Sequence, residues 1–237
     1  MSRITFFLVF IVLITGSSSC KKINGKGDVV RQTRNITGFN GITLSMDAYT
    51  YIRQDTVYKV EILAQQNILD VIETPVEGGS LTIKIKNHTT LGKHDAITVY
   101  ISLPAVNSLN ISGSGTIEGN VPLVSSNLNL VISGSGNIRL PAINVSELYA
   151  NISGSGIISA SSGTTATENL NISGSGNIDL LNVVSESVYA NISGSGSISV
   201  TANILLDGTI SGSGNIFYMG NATVNAHISG SGSIIHL

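Results

Sequence analysis

The sequence predicts an all-β fold, a single-stranded parallel β-helix (solenoid) with coils of about 18–21 residues, and three observations carry that expectation. Ile-Ser-Gly-Ser-Gly occurs seven times, and the serine that opens each Ser-Gly-Ser-Gly falls at Ser112, Ser133, Ser153, Ser173, Ser193, Ser211 and Ser229. Successive positions differ by 21, 20, 20, 20, 18 and 18, and self-similarity at such a period is the mark of a solenoid. Residues around every copy keep a strict two-residue alternation, as a strand requires. Finally, 42% of the 237 residues are hydrophobic, so a chain rich in Gly and Ser still has the apolar side chains that ordering demands.

The alternation assigns the faces. Ile111, Gly113, Gly115 and Ile117 share one parity, and the set recurs to Ile228, Gly230, Gly232 and Ile234. It extends upstream through Leu109, Leu130, Ala150, Leu170, Ala190, Gly208 and Ala226. These residues are expected to face inward, with both glycines marking a narrow edge or bend. The other parity carries Ser112, Ser114, Ser133, Ser135, Ser153, Ser155, Ser173, Ser175, Ser193, Ser195, Ser211, Ser213, Ser229 and Ser231. Asn110, Asn151, Asn171 and Asn191 share it, with Val131, Thr209 and His227 in the remaining copies. They are expected to form outward ladders. About 20 residues at roughly 3.3 Å each give a perimeter near 66 Å, enough for two or three short strands joined by bends. The shorter last coils keep the motif, so the deletions belong to the return segment.

Residues 28–104 lack the motif but keep strand periodicity in Ile42–Met46, Tyr58–Ile62, Leu81–Ile85 and Ile97–Ile101. Glu77 to Ser80 and Asn87 to Asp95 read as turns, and Ile68, Leu69, Val71 and Ile72 are spaced for a helical turn. This region is expected to form irregular coils capping the solenoid of residues 105–237; an independent β-sandwich is the alternative.

Residues 1–19 read as a processing signal: Arg3, an apolar run from Ile4 to Ile14, then small residues up to Cys20. The run is too short to span a bilayer. Cys20 is the only cysteine, which excludes an internal disulfide or thiolate cluster. Its setting resembles a lipoprotein signal peptidase site, where the thiol is diacylated; Ser17 stands where many such boxes have Leu, as in the looser boxes of Bacteroidetes. Residues 20–27 are then a lipidated tether, Gly-containing and polar. This points to a lipid anchor in the cell envelope at the outer membrane.

Chemistry is sparse. Eleven of the twelve Lys and Arg residues precede Ile97, and beyond Pro104 Arg139 faces six acids, Glu118, Glu147, Glu168, Asp179, Glu186 and Asp207. Polysaccharide-cleaving solenoids need clustered carboxylates, whereas these acids occur at most once per coil at shifting positions. No Gly-x-Ser-x-Gly, phosphate-loop or calcium-nonapeptide pattern occurs. His88 and His94 read as loop polars rather than metal ligands. The expectation is a non-enzymatic protein without cofactor or metal site, and nucleic acid is not an expected partner at net charge −2.

The head segment and the repeats together resemble the auto-transporter adhesin family named for its head GIN domain, common among Bacteroidetes lipoproteins. The resemblance rests on Gly38-Phe39-Asn40-Gly41-Ile42, Asn67 to Thr74, Gly79-Ser80-Leu81-Thr82-Ile83, and Ile101-Ser102-Leu103-Pro104 leading into Asn110-Ile111-Ser112-Gly113-Ser114-Gly115. It implies a right-handed parallel β-helix and carries over no catalytic residue. Two functions remain open. One is an adhesin or binding module presenting a neutral Ser/Asn-rich surface to a glycan or protein. The other is a structural envelope component, self-associating through the C-terminal coil at Ile234 to Leu237, whose strand edge is free to pair.

Overall fold

A computed structural model describes residues 21–237. The seven motif strands stack in register, each on the one before. Leu109 pairs with Leu130, then Ala150, Leu170, Ala190, Gly208 and Ala226, while Ile111 heads the row Ile132, Ile152, Ile172, Ile192, Ile210 and Ile228. All these pairings are parallel, so equivalent positions meet at about 4.8 Å along the stack. A second wall repeats the logic with Ile117, Ile138, Ile158, Ile178, Ile198, Ile216 and Ile234. Between the walls these isoleucines are buried, apart from the last coil, where Ile228 is 45% exposed and Ile234 half-buried because no further coil covers them. A third strand segment closes each coil, with Leu123, Ile143, Gly163 and Val183 in register.

The shortening of the later coils is taken up in that return segment. Leu180 pairs with Val200 and Val184 with Thr201, so three residues are bypassed, and one is returned where Ser185–Ser187 faces Ala202–Leu205. Motif pairing then resumes from Ser187 with Leu205 through Gly194 with Gly212.

One part of the parity assignment is corrected. The second glycine of the first six copies, such as Gly156, is buried and faces inward, where a Cβ would meet Ile132 Cγ2 at 2.6 Å. The first glycine is not inward. In all seven copies its φ lies between +125° and +133°, a region that favours glycine. The chain turns a corner there, so the strict alternation is broken between the two serines. At the corner neighbouring coils also lie backbone against backbone, a Cβ on Gly154 meeting the carbonyl oxygen of Gly134.

The N-terminal strands join the same sheet. Gly41–Ser45 lies parallel between Ser80–Ile85 and Ser108–Gly113, and Tyr49–Gln54 lies parallel between Thr98–Leu103 and Thr116–Gly119. The remaining partners are antiparallel: Val29–Arg34 on Lys59–Gln65, Lys59–Gln65 on Thr98–Leu103, and the short strands Ile72–Glu73 and Val76–Glu77 on Ser80–Ile85. Gly78 and Gly79, both at positive φ, make the tight hairpin turn. The helical turn is Gln66–Leu69, burying Ile68 and Leu69. Gly41–Ser45 and Tyr49–Gln54 are thus built into the same stack as the first motif coil.

Two segments differ from expectation. Asn87 to Asp95 is not only a turn, because Thr89–Leu91 forms a strand parallel to Lys21–Ile23. The described part of the tether is consequently laid on the body: Lys21 N donates to His88 O at 2.8 Å, Gly25 N to Lys93 O at 2.9 Å, and Lys26 N to Asn67 Oδ1 at 2.9 Å. Ile23 and Leu91, packed against the core, supply the apolar reason that the polar composition of 20–27 conceals. Cys20 and residues 1–19 lie outside the described residues. No helix among the described residues is long and apolar enough to cross a membrane.

Candidate functional site: a neutral wall and a charged groove

The parallel register decides what the motif wall presents. Ser112, Ser133, Ser153, Ser173, Ser193, Ser211 and Ser229 form one unbroken row. The second serines stack beside them, each backbone N–H from Ser135 to Ser231 donating at 2.9 Å to the first glycine of the coil before. All fourteen serines are exposed. Among the described residues no hydrogen bond joins these hydroxyls to one another. Their side chains therefore do not hold the coils together, which the backbone ladder already does.

Two further rows run beside the serines. One is Asn110, Val131, Asn151, Asn171, Asn191, Thr209 and His227; the other is Ser108, Asn129, Tyr149, Asn169, Tyr189, Asp207 and Asn225. Tyr149 and Tyr189 are each 44% exposed and stand two coils apart, or about 10 Å. Tyr149 Oη donates to Glu147 Oε2 at 3.1 Å, and that carboxylate holds the phenol above its ordinary range. Around Tyr189 a shallow depression of about 280 Å³ is lined by Asn169, Asn171, Asn191, Asp207 and Thr209. The tyrosines are legible in principle, since Tyr149 and Tyr189 share the outward parity two residues before Asn151 and Asn191.

A different constellation occupies the outer side of the N-terminal strands. Tyr51 and Tyr100 are register partners on adjacent parallel strands, their rings stacked at 5.4 Å between centroids with an 18° tilt. Across the antiparallel edge Tyr100 pairs with Glu61. Glu61 Oε2 accepts from Arg31 Nη1 at 3.2 Å and is ion-paired with Lys59 Nζ at 3.0 Å. The Lys59 ammonium first, and the Arg31 guanidinium after it, hold the Glu61 carboxyl below the usual carboxylate range against the opposing effect of desolvation. Arg53 Nε lies 3.3 Å from Asp55 Oδ2. Apart from Asp55, these side chains, with Ser102 and Asn120, line a groove of about 230 Å³.

Residues 38–222 match the family model described as "Putative auto-transporter adhesin, head GIN domain". The chain belongs to that family. Solved structures share the fold of this chain. A "putative adhesin" from Bacteroides fragilis NCTC 9343 superposes with a TM-score of 0.84 at 24% identity, covering 91% of this chain and 100% of that one. A "putative lipid binding protein" from Parabacteroides distasonis ATCC 8503 gives 0.78 at 28% identity, covering 92% and 100%. A "putative adhesin" from Parabacteroides merdae ATCC 43184 gives 0.74 at 21% identity, covering 92% and 99%. No curated protein matches the sequence.

The head GIN family is described as adhesins, a non-enzymatic role. The six acids beyond Pro104 are dispersed, no two being register partners on neighbouring coils. Among the described residues no group of three His, Cys, Asp or Glu side chains is placed to hold a metal. His94 Nδ1 is 2.6 Å from Asp95 O, a local contact.

One acid is inside. Glu168 is fully buried in the inward row Leu128, Leu148, Glu168, Val188 and Leu206. Burial pushes its carboxyl up to about 8, with the nearby Ser185 hydroxyl acting the other way. That hydroxyl, however, donates to Thr201 O at 2.8 Å, and both carboxyl oxygens lack a hydrogen-bond partner.

Proposed function

We propose that the protein is a cell-envelope binding module, lipid-anchored through Cys20 at the outer membrane, whose neutral wall of serine, asparagine and tyrosine side chains meets a glycan or protein partner. The observation that carries this reading is the exposed wall itself. Seven stacked motif strands present in-register hydroxyls and amides that are not spent on one another. Two tyrosines add an apolar body with a polar tip, the kind of side chain favoured in recognition. Between the walls the coils are filled by buried Ile, Leu and Val, which favours an outer surface over the interior as the place of contact. The name of the Parabacteroides distasonis relative suggests lipid as another class of partner, to be included in the same test.

The experiment is capture of the purified protein on an array of bacterial and host glycans, with vesicles as a separate arm, comparing wild type with Asn151→Ala/Asn171→Ala/Asn191→Ala and with Tyr189→Ala. Saturable capture lost in both variants supports the reading; capture unchanged by either removes the wall from it. Metabolic labelling with a fatty acid analogue tests the anchor: label retained in Cys20→Ala contradicts lipidation there. Protease shaving of intact cells tests exposure, which contact with an external partner requires.

A further inference from the structure

We propose that the groove around Tyr51 and Tyr100 is a binding site for an acidic sugar, one pyranose ring bearing a carboxylate, separate from the neutral wall and independent of what that wall binds. It lies on the wall that continues into Thr116–Gly119, whereas the serine rows follow the motif strands and the corner beyond them.

The charges point to an anion. Arg31, Arg53 and Lys59 bring three positive charges against Glu61 and Asp55, and Glu118, the register partner of Tyr51, stands beside its own register partner Arg139, so one positive charge is left in excess. The Glu61 side chain is only 10% exposed, while the three cations are 55–61% exposed. The acid thus lies beneath and the cations lie on top. Shared between Lys59 and Arg31, Glu61 orients both, and each retains N–H donors directed elsewhere, since an ammonium has three and a guanidinium five. A carboxylate entering the groove completes charge-assisted hydrogen bonds that a neutral group cannot.

The tyrosines point to a ring. Stacked on each other, Tyr51 and Tyr100 are held in place before any ligand arrives, which lowers the ordering cost of binding. A pyranose has an apolar C–H face that packs on an aromatic ring, and hydroxyls that Ser102, Asn120 and the tyrosine Oη groups can meet. At about 230 Å³ the groove is smaller than the roughly 300–1,000 Å³ of sites for drug-sized ligands, and suits a single sugar unit. An open groove also lets the rest of a chain continue on either side.

The test is isothermal titration of the full mature protein with digalacturonate, against galactobiose as the neutral counterpart and sodium acetate and inorganic phosphate as bare anions. Digalacturonate is expected to bind, with affinity falling as salt is raised, and at least about tenfold in Arg53→Gln and in Tyr100→Ala. Tyr100→Phe should keep most of it. Wild-type-like circular dichroism and thermal unfolding of each variant separate a lost site from a lost fold; a variant failing this control is replaced by Lys59→Gln. Equal binding of galactobiose, or of acetate or phosphate, overturns the proposal, as does no binding of digalacturonate at about 10 mM or binding untouched by folded variants. The Asn151→Ala/Asn171→Ala/Asn191→Ala variant is expected to bind digalacturonate normally; loss there also overturns it, by placing the sugar on the neutral wall.

Discussion

A Cβ added to Gly134 would stand 2.6 Å from the carbonyl oxygen of Gly113, one coil below. The position is constrained twice, by that approach and by a φ of +125°, and neither constraint can relax without opening the neighbouring corners. Gly134→Ala is therefore expected to cost about 2–5 kcal/mol. Ser133→Ala, one residue away on the exposed row, should change stability by no more than about 0.5 kcal/mol. Urea unfolding of the two variants makes the comparison, and equal midpoints would refute the corner argument.

Glu168 gives stability a pH dependence of unusual sign. Its carboxyl holds a proton up to about pH 8 in the folded chain, against an ordinary value of 4.5. Between those values the unfolded chain has lost a proton that the folded chain keeps. Stability from this group is therefore complete below pH 4.5, declines as pH rises, and reaches its floor above pH 8; at pH 7 the penalty is about 3 kcal/mol. Glu168→Leu, which restores the apolar row between Leu148 and Val188, is expected to raise stability at pH 7 by a similar amount. The difference between wild type and variant should widen from pH 5 to pH 8; a constant difference would show that the carboxyl does not titrate in this window.

Glu61 behaves in the opposite sense. Its folded value is depressed by Lys59 and Arg31, so its contribution is present above the ordinary carboxylate range and is lost as pH falls through the lowered folded value. Carbon-detected NMR titration should place its midpoint below the ordinary carboxylate range. Lys59→Gln should move it upward; a midpoint that stays put would show that Lys59 is not the main cause.

The stacking rule predicts a tolerated deletion. Ala150 and Leu170 are register equivalents, so removing residues 151–170 joins Ala150 to Asn171 with every remaining row intact. The shortened chain should fold with an unchanged strand signature in circular dichroism, because each coil contacts only its neighbours. Removing half of that segment instead would set mismatched strands against each other and is expected to give aggregation on size-exclusion chromatography.

The isoleucine rows and the outward serines are legible because a strand repeats every two residues and the coils repeat at a nearly constant period. The first glycine escapes that reading because the alternation holds only while the chain stays extended, and a positive φ at the corner breaks it. The docking of Lys21–Ile23 is hidden by Lys, Asn and Gly around a single Ile23, whose partner Leu91 sits in a segment that also reads as a turn. The charged groove leaves no local trace: Arg31, Tyr51, Lys59 and Tyr100 come from four strands, two of whose pairings are antiparallel, and no sequence period brings them together. Glu168 stands out as an acid, but only the row it occupies shows that it is inside.

The paired strands Lys21–Ile23 and Thr89–Leu91 bear on how the body is carried. Should Cys20 hold the acyl chains as proposed, the lipid is attached one residue before a hydrogen-bonded strand, with no slack between them. A leash lets its load roam; a short link keeps it close. On this geometry the reach of the stack from the bilayer is limited to Cys20 and its lipid linkage, and the N-terminal end of the stack is the end nearest the membrane.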